Sequence, residues 1–96
     1  MRQTDVWRSC NKIRAAVFRT GVDLRRWLQP LDPRRTGLLS ESQFVSVLAG
    51  PLRAAVALSA DEIAQLADYF RAADGRVLYQ QLCELIHGQS IVLHTF

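Results

Sequence analysis

The residues best placed to do chemistry in this chain gather in the stretch Asp32-Pro33-Arg34-Arg35-Thr36-Gly37-Leu38-Leu39-Ser40. Asp32, Thr36, the Leu38 carbonyl and Ser40 put oxygens at positions one, five, seven and nine of a twelve-residue frame. That alternation is how a loop wraps a hard cation such as calcium. Gly37 stands at position six, where such a backbone must turn sharply, and Leu39 at position eight. The remaining ligand positions argue against an ion. Position three is Arg34, a cation where a carboxylate belongs, and position twelve is Gln43 where calcium wants a bidentate Glu. Asp32 is the one anionic group in the ligand set. No bound metal is therefore expected, calcium included, and Asp32, Thr36, Leu38 and Ser40 are the candidates for whatever weak affinity persists. Asp32 is expected to cap the turn that Pro33 opens.

A second stretch fits the same frame. With Gly75 at position six, Val77 falls at eight and Leu82 just beyond twelve. Here position one is Phe70, three is Ala72, nine is Leu78 and twelve is Gln81, so Asp74 is the only acidic ligand and no ion is expected. The apolar residues at position eight, Leu39 and Val77, are the candidates for pairing the two loops.

Other chemistry finds no support. There is no Gly-rich phosphate loop, no Cys–His or Ser–His pair at a recognisable spacing, and no paired carboxylates in apolar surroundings, so an enzyme is not expected. Cys10 and Cys83 lie in apolar helical patterns without a neighbouring ligand and read as buried thiols in a reducing compartment. His87 and His94 are too far apart for a helical metal pair.

The elements that must position these loops read as helices. Val6, Cys10, Ile13 and Val17 recur at helical spacing, with Trp7 and Phe18 flanking them and widening the apolar face. Thr20 is expected to cap the next helix, with Asp23 near its positive end. That helix carries Leu24, Trp27, Leu28 and Leu31, and Pro30 and Pro33 close it. Ser40 with Gln43 and Ser59 with Glu62 match capping boxes. They open a helix with Phe44, Val45, Val47 and Leu48, and another from Ala60 to about Ala72. Leu52 to Leu58 reads as a short helix or ordered linker, and a last helix with Leu82, Cys83, Leu85 and Ile86 ends at Gly88. The tail 89–96 holds a strand-like run, Ile91, Val92 and Leu93. The expected fold class is all-α, in one domain: a basic helix over about 4–19, two helix–loop–helix units over about 22–49 and 59–88, and the tail. Leu28, Leu31, Phe44, Leu48, Leu66, Tyr69, Leu82, Leu85 and Ile86 are its expected core.

Residues 32–44, Asp-x-x-x-Thr-Gly-Leu-Leu-Ser-x-x-Gln-Phe, and 74–79, Asp-Gly-x-Val-x-Tyr, resemble the EF-hand superfamily, over about residues 22–88. They look most like the degenerate hands of ciliary and flagellar EF-hand proteins, which also carry an extra basic helix ahead of the first hand. The resemblance implies a paired-hand fold, a cytoplasmic setting of cytoskeletal or ciliary kind, and a role in holding other proteins.

Composition agrees with a globular module: 49% of residues are apolar and 22% charged. No apolar window reaches the length of a membrane span, and residues 1–20 lack the apolar core of a secretory signal. Charge is uneven. Residues 1–35 hold nine bases and three acids, whereas residues 36–96 hold three bases and six acids. A basic front half in which all the bases but Lys12 are Arg suits fork-like pairing with carboxylates. Trp7, Phe18, Arg14, Arg25, Arg26 and Trp27 are the candidate partner-binding residues. The single Met is the first residue, which argues against a flexible Met-rich groove of the calmodulin type. The expected function is a calcium-independent protein-binding or structural module that holds a helical segment or an acidic surface such as tubulin, with a homodimer as a further option. The competing readings are a weak calcium-binding regulator and a nucleic-acid-binding module that uses the Arg-rich half.

Overall fold

A computed structural model describes residues 3–88. Among them every regular element is helical: α1 (Gln3–Thr20), α2 (Leu24–Leu28), α3 (Glu41–Ala49), α4 (Ala60–Tyr69) and α5 (Tyr79–Cys83). A 3-10 turn, Gln29–Leu31, follows α2, and a π turn, Glu84–Gly88, follows α5. The fold is all-α. No helix among the described residues is long and apolar enough to cross a membrane. The tail 89–96, with its strand-like run, lies outside the described residues.

Helix α1 folds back on its own chain. Val6, Cys10, Ile13 and Ala16 are buried and Val17 packs at the rim of the core, which places α1 against α4 and the π turn. Trp7 and Phe18 do not widen this buried face. They are 65% and 94% exposed.

The end of α1 corrects one expectation. Gly21 takes φ +73°, a left-handed conformation that costs glycine little, and its N–H donates to the Val17 carbonyl at 2.8 Å. The Thr20 hydroxyl turns back to donate to the Ala16 carbonyl at 2.7 Å, so Thr20 closes α1. Asp23 caps α2 in its place, its carboxylate accepting the Arg25 N–H at 3.0 Å. After Leu28 the chain tightens into the 3-10 turn around Pro30, which has no N–H for a helical ladder. That tightening rotates Leu31 outward, and it is 38% exposed where the core was expected.

The capping boxes at Ser40–Gln43 and Ser59–Glu62 both form, with side chain and backbone bonded reciprocally. Between α3 and α4, residues 51–56 make successive turns and no helix; Leu52, Val56 and Leu58 anchor this linker in the core. Helix α4 stops at Tyr69, three residues short of the expected end. From Phe70 onward the chain is drawn into the second loop, where Leu78 N–H donates to the Phe70 carbonyl at 2.7 Å and Arg71 pairs with Val77. Phe70 takes the buried position and Tyr69 is left 46% exposed, its ring edge-on to Phe70 at 5.0 Å. Leu85 is only partly buried. Phe44, Leu24, Leu28, Leu48, Leu66 and Leu82 form the centre, each essentially excluded from solvent.

Candidate functional site

The two loops meet back to back. Leu39 and Val77 form an isolated antiparallel bridge in which each N–H donates to the other's carbonyl, at 3.0 and 2.7 Å. Both side chains are buried, so the bridge is a backbone clasp sealed by apolar contact. The loops reach it through two glycines in left-handed conformation, Gly37 at φ +80° and Gly75 at φ +89°.

Asp32 is the centre of the first loop. It is only 5% exposed, yet charged, and burial of a carboxylate needs full hydrogen bonding to be tolerable. One oxygen, Oδ1, accepts the Thr36 backbone N–H at 3.0 Å and the Thr36 hydroxyl at 2.9 Å. The other, Oδ2, accepts the Gly37 N–H at 2.9 Å and the Tyr79 hydroxyl at 2.7 Å. Burial raises the Asp32 pKa. The donors from Thr36, Tyr79 and Gly37 outweigh it and hold the group at about 2. The same contact acts in reverse on Tyr79, whose hydroxyl is pushed up by burial and then by the adjacent Asp32 charge.

Tyr79 comes from the second loop, 47 residues from Asp32. It stands at position ten of the second frame and opens α5. The Tyr79–Asp32 bond therefore ties the first residue of one loop to the exiting helix of the other. Tyr79 was absent from the candidate site residues. The available signal was its type: a tyrosine in a buried pattern needs a partner for its hydroxyl.

The other ligand positions are used differently. Gln43 spends its amide oxygen on the Ser40 N–H at 3.2 Å, closing the capping box of α3. Ser40 Oγ accepts the Gln43 N–H in return, at 3.1 Å. An open cleft of about 330 Å³ beside the loop is lined by Arg34 and Arg76 with Asp32, Ser40 and Gln43. In the second loop Asp74 accepts the Arg76 backbone N–H at 3.0 Å and its Nε at 2.8 Å. These bonds lower the Asp74 pKa. Among the described residues no cluster of three or more His, Cys, Asp or Glu is placed to hold a metal ion.

The candidate partner-binding residues divide. Trp7 and Phe18 on α1, and Arg26 and Trp27 on α2, are exposed. Arg25 is half-buried. Arg14 serves the fold: its guanidinium donates to Asn11 Oδ1 at 3.2 Å and to the Leu85 carbonyl at 3.4 Å, tying α1 to the π turn. His87 is a second tie, its Nε2 accepting the Leu24 N–H at 3.2 Å. Cys10 and Cys83 are free and buried, and burial raises both thiols, Cys83 to about 12. Neither is a reactive thiolate at neutral pH. Comparison with known proteins finds no family model, no curated protein and no solved structure that matches this chain.

Proposed function

We propose that the chain is a non-enzymatic protein-binding or structural module built on a degenerate EF-hand pair, its loops held closed by internal hydrogen bonds and independent of calcium. The observation that carries this reading is the Tyr79–Asp32 bond. It completes four donors around the only carboxylate of the first loop's ligand set, at the position where an ion would otherwise collect that oxygen. Arg34, exposed in the lining of the adjacent cleft, supports it, because it presents positive charge to any cation that approaches. The partner is a helical segment or an acidic protein surface. Arg8, Arg19, Arg26, Arg34 and Arg35 are exposed and make no ion pair among the described residues, which leaves that half of the chain with unspent positive charge.

Thermal unfolding in millimolar calcium and in chelator tests the reading. An ion at a hundred times its Kd would stabilise the fold by about 2.7 kcal/mol, which is roughly 10 °C or more in Tm for a domain of this size. The expected result is coincident melting curves and no heat on calorimetric titration. Binding heat with micromolar affinity, or a calcium-dependent Tm, would replace the proposal with a regulatory calcium site at Asp32.

A further inference from the structure

Helix α1 contains an internal repeat: Val6-Trp7-Arg8-Ser9 returns as Val17-Phe18-Arg19-Thr20, eleven residues later. Eleven residues make close to three helical turns, about 16 Å along the axis, so equivalent members of the two copies share a face. The valines point inward, Val6 buried and Val17 packed on the core. The aromatics lie outside that buried stripe, 65% and 94% exposed. Arg8 and Arg19 are exposed and form no ion pair among the described residues. Between the two copies Lys12 and Ala15 are exposed; Lys12 is paired with Glu62 at 2.7 Å, and Ala15 is small enough for another backbone to come close.

We propose that this face of α1 is a docking strip for an acidic amphipathic helix of another protein, gripped at two points three turns apart by the repeated aromatic–arginine step. The proposal rests on the protein-binding reading above and names its surface. Aromatic side chains and arginine are residue types enriched at the energetic centres of interfaces, and here one of each recurs exposed on the same face. Charge selects the occupant. A second copy of α1 would bring Arg8 and Arg19 against their own kind, whereas carboxylates on a partner helix pair with the guanidinium forks. A lipid surface fits less well. Insertion needs a continuous apolar face, and the two aromatics are separated by Asn11.

The test uses the whole chain and a labelled synthetic helical peptide with two leucines eleven residues apart, each flanked by glutamates. Fluorescence anisotropy is expected to show saturable binding that weakens as salt rises. Phe18→Ala, and separately the Arg8→Glu/Arg19→Glu pair, should weaken it at least tenfold while melting within a few degrees of the parent, since all these side chains are exposed. A peptide with lysine in place of glutamate should not bind. Absence of binding, equal binding by the Phe18→Ala variant or by the lysine peptide, or partition onto phosphatidylserine vesicles without peptide binding would each overturn the proposal. Calcium-insensitive melting alongside an inert α1 would remove the docking strip and leave the proposed closed-loop module standing.

Discussion

Tyr79→Phe removes one oxygen and leaves the ring, so it isolates the bond between the two loops. The ring stays packed, because Tyr79 is 3% exposed and its phenyl surface is unchanged. Asp32 Oδ2 is left with the Gly37 N–H alone. A hydrogen bond to a charged group contributes about 1.5–3 kcal/mol. For a domain of this length each kcal/mol is worth roughly 4–8 °C of Tm, so the variant should melt roughly 6–24 °C below the parent at neutral pH. The pH dependence makes the test specific. Asp32 titrates at about 2 in the folded chain against an ordinary 3.8, so its folded pKa is depressed. A depressed carboxylate pKa contributes stability that is fully present above the unfolded value and is lost as pH falls through the folded one. In the Tyr79→Phe variant the carboxyl moves upward, and part of that contribution disappears. The stability gap between parent and variant should therefore be widest near neutrality and shrink between pH 4 and pH 2. Urea unfolding across that range, with the Asp32 side-chain carbon followed by NMR, measures both quantities. A Tm loss of a degree or two, or a gap that stays constant down to pH 2, would show that the hydroxyl does not hold the loops.

Further substitutions at four sites probe the two turn glycines, the capping box of α4 and the tie between α2 and the π turn. Gly37→Ala should cost about 1–2 kcal/mol by urea unfolding, because a Cβ at φ +80° is strained and would also meet Gln80 Oε1 at 2.9 Å. Gly75→Ala, at φ +89° with open space around it, should cost less. Ser59→Ala removes the acceptor for the Glu62 N–H and should lower stability by about 1 kcal/mol, with Ser59→Asn close to the parent. His87 accepts the Leu24 N–H and so must be neutral at Nε2. Burial holds its pKa below the ordinary 6.5, with Arg25 acting in the same direction and Asp23 against both. Its contribution is complete above about pH 6.5 and declines as pH falls toward the folded value, so His87→Gln should flatten the stability profile between pH 7 and 5 relative to the parent.

Much of the helical scaffold was legible because its signals are local. The capping boxes need only residues three apart, and the α1 stripe needs only its own periodicity. The turn glycines at equal offsets in the two loops were enough to set Leu39 beside Val77. Misreadings cluster where a helix ends. Leu31 and Tyr69 keep the apolar spacing of their helices, but the 3-10 turn at Pro30 and the early stop of α4 rotate them into solvent. Thr20 and Asp23 both have cap chemistry, and only the left-handed Gly21 decides that one ends α1 while the other opens α2. Arg14 looked like surface charge, yet its stem and fork serve the contact with the π turn, which no local pattern reveals. Tyr79 is the extreme case. Its partner is 47 residues away, so the hydroxyl's role appears only once the loops are folded against each other.

Under the proposed reading, the same bond lets the loops close without an ion. In a calcium loop the cation draws carboxylates from one loop inward, and releasing it loosens the helix pair. Here the convergence is supplied by donors that never leave: two backbone N–H groups, the Thr36 hydroxyl and a tyrosine hydroxyl anchored at the start of α5. Tyr79 is buried and its hydroxyl stays protonated well beyond neutral pH, so this donor persists across the pH range that a cell varies. A module closed in this way exchanges a switch for a constant surface. Under the proposed reading, its affinity for a partner is set by exposed side chains away from the loop clasp, those of α1 foremost, and should be equal in calcium and in chelator.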